Sequence, residues 1–242
     1  LRPEVERRVI AALLAGLLSG FVVFALWPGL DIAVSGAFFD AGARSFVLNG
    51  QPLAEGLRKA IWGLSVVLLL IAGTGLLGAL VLRRPVAGLP ARAWGFIVAL
   101  YALGPGLVVE TLLKTHWGRA RPSAIAEFGG TAMFTPPWLP ADQCARNCAF
   151  VAGETAGAVA LAISLAVILV WAGPRLPGWL RAGLVALAVA APVIASVQRL
   201  GAGRHFLSDI LAAALLIGLI AAVLARFLRP LPRAVDNHPD SP

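Results

Sequence analysis

Apolar residues along this chain gather into six long runs, 9–27, 60–82, 93–113, 155–173, 182–197 and 206–228, separated by segments richer in Arg, Pro and Gly. About 20 apolar residues in a helix cross roughly 30 Å of hydrocarbon. The pattern therefore predicts an all-α, polytopic membrane protein with six transmembrane helices, forming one domain over 1–229. The fifth run is the shortest. Trp27, Trp62, Trp94, Trp171 and Trp179 fall near run ends, where an indole can bury its ring and keep its N–H wet.

The segments between the runs predict the rest. The stretch 28–59 is too polar to span, and Leu30, Ile32, Val34, Phe38 and Phe39 predict an interfacial segment lying on the outer leaflet. The loop 122–149 carries Gly129-Gly130 and Pro136-Pro137 and predicts an irregular roof. Gly104-Pro105-Gly106 predicts a kink in the third span. The polar tail 230–242 reads as disordered. Basic residues precede the first run as in a signal peptide, but the run is too long and no small-x-small site follows Trp27-Pro28, so it reads as a retained span. Gly16 and Gly20 form a GxxxG pair, which carries little weight among 26 glycines and leaves the oligomeric state unassigned.

Composition agrees: 59% hydrophobic and 13% charged residues, with a mean hydropathy of +0.86, exclude a soluble domain. The net charge of +8 raises the question of nucleic acid, but the cations are spread over short connections, so no nucleic acid is expected as a partner. Arg7, Arg8, Arg83, Arg84, Arg175 and Arg181 fall on one side of six alternating spans, and the positive-inside rule makes that side, with both termini, cytoplasmic. The opposite face also holds cations. Many of those lie within three short motifs, as expected if a ligand holds them there against the topological rule. Cys144 and Cys148 are the only cysteines: an oxidising compartment permits a disulfide, two free thiols are the alternative, and two cysteines are too few for a zinc site.

In the third motif, Arg199 to Asp209, His205 and Asp209 are four residues apart at the start of the sixth span and share a helical face. A carboxylate there can accept the Nδ1 proton and leave Nε2 free to attack; the simpler reading is a polar pair that caps the helix. Gly201 and Gly203 allow Arg199 to fold back toward the imidazole. In the first motif, Lys114 and Arg121 stand about two helical turns apart, and Arg121 precedes Pro122, where the helix should stop. Arginine offers a planar fork to phosphate oxygens and lysine a point charge. Glu110 is placed to pair with Lys114. His116 and Arg119 read as wall residues or solvated charges.

Lys114-x6-Arg121-Pro122, a Phe-x-x-Gly segment at a helix start (Phe150 to Gly153) and Arg199-x5-His205-x3-Asp209 together resemble the type 2 phosphatidic acid phosphatase (PAP2) superfamily, over roughly 114–209. The Cys144–Cys148 loop and the segment around Leu30 look similar to bacterial members acting on lipid phosphates, lipid A phosphatases among them. The resemblance implies that Lys114, Arg121 and Arg199 hold a phosphoryl group, that His205 attacks it, and that Asp209 orients His205. It implies a phosphohistidine hydrolysed by water, with no metal and no cofactor. The second motif departs from the pattern: the family reads Pro-Ser-Gly-His where this chain has Val151-Ala152-Gly153-Glu154. The serine hydroxyl and the usual general acid are both missing. The Gly153 amide can still donate at a helix start, and Glu154 can serve as acid while protonated.

The expected function is removal of phosphate from a membrane lipid (lipid A, a polyprenyl diphosphate or a phosphatidyl phosphate) by an active site at the outer membrane face. The expected location is the periplasmic side of a bacterial inner membrane. A degenerate relative that binds lipid phosphate without turnover, and a lipid phosphotransferase, are the alternatives.

Overall fold

The computed structural model describes residues 3–231. Among the described residues six helices are long and apolar enough to cross a membrane, in the order the sequence predicts. Helix α1 is Pro3–Leu26; a short α2, Gly29–Gly36, and a hairpin of β1 (Phe39–Asp40) on β2 (Ser45–Phe46) follow. The strands are antiparallel, Phe39 opposite Phe46. Helix α3 is Pro52–Leu82, α4 is Ala91–Tyr101, and α4 continues as a π-helix, Ala102–Leu113, into α5, Lys114–His116. After the long loop come α6 (Gly153–Ala172), α7 (Gly178–Gly201) and α8 (Leu207–Leu228).

Two boundaries differ from expectation for identifiable reasons. Helix α3 starts at Pro52, eight residues before its apolar run, because Glu55 and Arg58 find ionic partners there and need not face lipid. The part of 28–59 outside α3 folds down onto the loop: Phe39, Phe46 and Phe128 form a ring cluster with centroids 5.1–5.2 Å apart. The kink expected at Gly104-Pro105-Gly106 takes the form of the π-helix. Pro105 has no N–H to give, the ladder widens, and the hydroxyls of Thr111 and Thr115 donate to the carbonyls five residues back, Gly106 and Glu110. The tail 230–242 lies outside the described residues beyond Leu231.

Helix α6 is the centre of the bundle, packing on α3, α4, α7 and α8. Its buried face is small, with Ala156, Ala158, Ala160 and Ser164, which lets neighbouring backbones approach closely where lipid supplies no hydrophobic drive between helices. Trp94 leaves the interfacial belt in which the sequence placed it: it is 4% exposed and lies against Gly75, where a Cβ would come within 2.7 Å of the indole. Outward faces carry Leu18, Leu70, Leu77, Val81 and Val189, all exposed as lipid-facing residues should be. The ends of α5, α6, α7 and α8 that bear the three motifs meet the start of α3 at one end of the bundle, under the loop 122–149.

Candidate active site

His205 sits in the turn between α7 and α8, 2% exposed. Its Nδ1 lies 2.7 Å from the carbonyl oxygen of Ala149. A carbonyl only accepts, so Nδ1 carries the proton and Nε2 holds the free lone pair. Sequence reasoning gave that acceptor role to Asp209, but its Oδ2 stands 3.8 Å away, an electrostatic neighbour and no hydrogen bond. That oxygen instead accepts the N–H of Phe206 at 2.8 Å, capping α8. The capping and orienting readings of Asp209 therefore share one carboxylate. Burial lowers the His205 pKa from 6.5, the Asp209 charge opposes this, and Lys114 and Arg121 push it further down.

Arg119 is the largest correction. Expected as a wall residue or a solvated charge, it is 0% exposed and spends every guanidinium nitrogen. Nε donates to Thr135 O at 2.8 Å, Nη1 to Ser208 Oγ at 2.9 Å and Asp209 Oδ1 at 2.5 Å, and Nη2 to Asp31 Oδ2 at 2.8 Å. Its plane lies 4.3 Å from the Phe206 ring centroid. Asp31, which lies in the segment the sequence put at the interface, is also 0% exposed and accepts the Ser208 N–H at 2.9 Å. Burial raises the Asp31 pKa above the usual carboxylate value, with Arg119 pulling the other way. The only sequence cue for this network was an acid inside an otherwise apolar interfacial stretch.

Lys114 ends the π-helix and donates to Glu110 Oε1 at 2.7 Å, as the spacing predicts. Gly153 begins α6 directly above that pair: a Cβ there would come within 2.7 Å of Lys114 Nζ and overlap the Glu110 carboxylate. The first amides of α6 lack intrahelical acceptors and face the same space. Arg121 donates from Nε to Asn147 O at 3.0 Å, and burial lowers its pKa, as does the neighbouring Arg204. His116 points away at the surface, with Nδ1 2.8 Å from Leu112 O.

Glu154 is held at both oxygens, Oε1 by Arg58 Nη1 and Oε2 by Arg199 Nη1, each at 2.7 Å. Arg58 also pairs with Glu55 at 2.8 Å, and Gln198 bridges Arg199 to Glu55. Neither Arg58 nor Arg204 was singled out from sequence, since Arg58 lies outside the motifs and Arg204 falls at one of the unspecified positions inside the third; both line the same cavity as Lys114, Arg121, Arg199 and His205. This cavity measures about 790 Å³. Cys144 and Cys148 form a disulfide in the loop above it.

Ala152 occupies the N-cap of α6, fully buried, and its N–H donates to Asp209 O at 3.2 Å. A serine here is expected to raise kcat/KM on the right lipid by about 10- to 150-fold, the worth of one hydrogen bond to a charged oxygen made in the transition state. Steady-state kinetics beside a melting curve separate the effects. A gain in melting temperature with kcat/KM unmoved assigns the hydroxyl to the helix cap alone.

Residues 94–232 match the family model of the PAP2 superfamily. A lipid A 4'-phosphatase of Rhizobium etli (strain ATCC 51251 / DSM 11541 / JCM 21823 / NBRC 15573 / CFN 42) is 33% identical over 201 residues, 78% of this chain and 75% of that protein. A lipid A 4'-phosphatase of Francisella tularensis subsp. novicida (strain U112) is 28% identical over 194 residues, 78% of this chain and 82% of that one. The crystal structure of a transmembrane PAP2 type phosphatidylglycerolphosphate phosphatase from Bacillus subtilis shares the fold at a TM-score of 0.57 and 17% identity, over 93% of this chain and 98% of that one. With the superfamily match covering more than half of the sequence and a 33% identical relative spanning most of it, the chain belongs to the PAP2 superfamily.

Proposed function

We propose that this chain is a membrane lipid phosphatase acting on the phosphate of a lipid A-type headgroup through a phosphohistidine on His205. The observation that carries this reading is the tautomer of His205: Nδ1–H is committed to Ala149 O, which leaves Nε2 as the nucleophile on the cavity side. Nε2 attacks phosphorus as the bond to the lipid oxygen breaks, that oxygen takes a proton from solvent water to give the lipid hydroxyl, and a water then cleaves the N–P bond to release inorganic phosphate and return neutral His205. Lys114, Arg121, Arg199 and the Gly153 amide bind the phosphoryl oxygens and neutralise charge as it develops. Asp209 stabilises the imidazolium electrostatically from 3.8 Å. The named activity of the relatives supports the lipid A-type substrate. The arginine distribution supports a site on the periplasmic side of a bacterial inner membrane, with cytoplasmic termini.

Glu154 enters this reading as a positioning residue in place of the general acid expected from sequence. Both its oxygens accept from guanidiniums, so it aims Arg199 and Arg58 and offers the leaving group no hydrogen. Glu154→Gln is accordingly expected to lower kcat/KM by a factor on the order of 10², the cost of misplacing a binding group, and by similar factors on substrates with good and poor leaving groups. A loss confined to poor leaving groups restores the acid role. The reading as a whole is tested by phosphate release from purified lipid A, phosphatidic acid, a polyprenyl diphosphate and a polyprenyl monophosphate in detergent, with and without chelator. Release from lipid A that is unmoved by chelator is expected; binding of all four without release makes the chain a lipid-phosphate binder.

A further inference from the structure

The cavity continues below the charged residues. Along α3 it passes from Glu55 and Arg58 to Ser65 and Leu69, and at 1.5 Å per residue Ser65 lies about 10 Å deeper in the bundle than Arg58. The facing wall is Tyr101 with Pro105 and Gly106, where the π-helix carries no bulky side chain. This deep half is apolar except for two hydroxyls.

The Tyr101 hydroxyl is anomalous. The residue is 7% exposed, and its oxygen has no hydrogen-bond partner among the described residues. Ser65 is its polar neighbour, but the two hydroxyls do not meet in hydrogen-bonding geometry, and the Ser65 proton goes to Ile61 O at 3.1 Å. Buried phenols normally find a partner, and at membrane depth no bulk water replaces one. A phenylalanine would fill the same space without that penalty, so the hydroxyl is explained by something that enters the cavity.

Resting on the phosphatase reading above, we propose that Tyr101, assisted by Ser65, forms a subsite for the ester or amide carbonyl that joins an acyl chain to the phosphorylated headgroup. A carbonyl oxygen supplies the acceptor that the phenol lacks, and hydrocarbon alone does not. A depth of about 10 Å below the cations suits a phosphorylated sugar or glycerol acylated at a neighbouring oxygen or nitrogen. A polyprenyl phosphate has no oxygen beyond its phosphate to place there. The subsite therefore selects acylated lipids over polyprenyl phosphates.

Tyr101→Phe and Ser65→Ala, made separately, test this through the ratio of kcat/KM on lipid A or phosphatidic acid to kcat/KM on a polyprenyl monophosphate. Tyr101→Phe is expected to lower the ratio about three- to tenfold, the size of one neutral hydrogen bond, and Ser65→Ala by less. In lipid-free detergent the Phe variant is expected to melt at or above the parent's temperature, since it loses no internal bond. An unchanged ratio, or a Phe variant that melts lower, overturns the subsite. The same ratio read from equilibrium binding in a His205→Ala background needs no turnover. A protein that binds all these lipids and hydrolyses none overturns the phosphatase reading, while the binding ratio still decides the subsite.

Discussion

Replacing His205 by alanine is expected to remove phosphate release altogether, by a factor on the order of 10⁴–10⁶ in kcat, while lipid phosphate still binds. The cations proposed to bind phosphate, Lys114, Arg121 and Arg199, are untouched by the change, and the Ala149 carbonyl loses only its donor. The same residue sets the pH dependence. The nucleophile must be neutral, and burial with two nearby cations lowers its pKa from 6.5, so the rate stays level below that value and falls only as the pH drops through the lowered pKa. Removing one of those cations, as in Arg121→Gln, moves the residual activity's acid limb upward toward 6.5. An alanine variant as fast as its parent, or an acid limb above 6.5 in the parent, sinks the assignment of His205.

Arg119→Met is expected to destabilise the fold by about 3–5 kcal/mol, because it strips the cation from between two fully buried carboxylates. Arg119→Lys keeps the charge but cannot reach Asp31, Asp209, Ser208 and Thr135 at once, so an intermediate loss is expected. Asp31→Asn should cost least. It keeps the side-chain outline and one acceptor oxygen, turns the other into an NH2 that faces a donor, and removes a carboxylate whose charged form burial already disfavours. Thermal unfolding in detergent gives the order, and turnover should follow it, because Asp209 is held by the same guanidinium. If Arg119→Met melts with the parent, the network is not structural and its burial has another cause.

The six spans and the Lys114–Glu110 pair were legible because each rests on a local signal, run length for a helix and spacing on one helix face, whereas His205 precedes α8 in the turn and comes near Asp209 without sharing its helix. The remainder of the site was not local. Asp31 and Arg119 are 88 residues apart, and Arg58 and Glu154 are 96 apart. Each of these residues looks like a solvated charge until the partner arrives. Tyr101 read as one more apolar-span residue, since only the assembled cavity reveals that its hydroxyl is alone. The π-helix was half legible: Pro105 announced a broken ladder, but whether the chain bends or widens depends on the helices packed around it.

The acceptor that fixes the His205 tautomer is a main-chain carbonyl, and this determines where mutational robustness lies. A side-chain acceptor can be deleted by a single substitution, whereas every residue at position 149 brings a carbonyl. Sensitivity passes instead to whatever sets the path of the chain there: the Ala149 N–H bond to Arg119 O at 2.9 Å and the disulfide that closes at Cys148. A substitution at position 149 therefore keeps the acceptor wherever the new side chain fits that fully buried site, whereas a shift in the course of the backbone there does not.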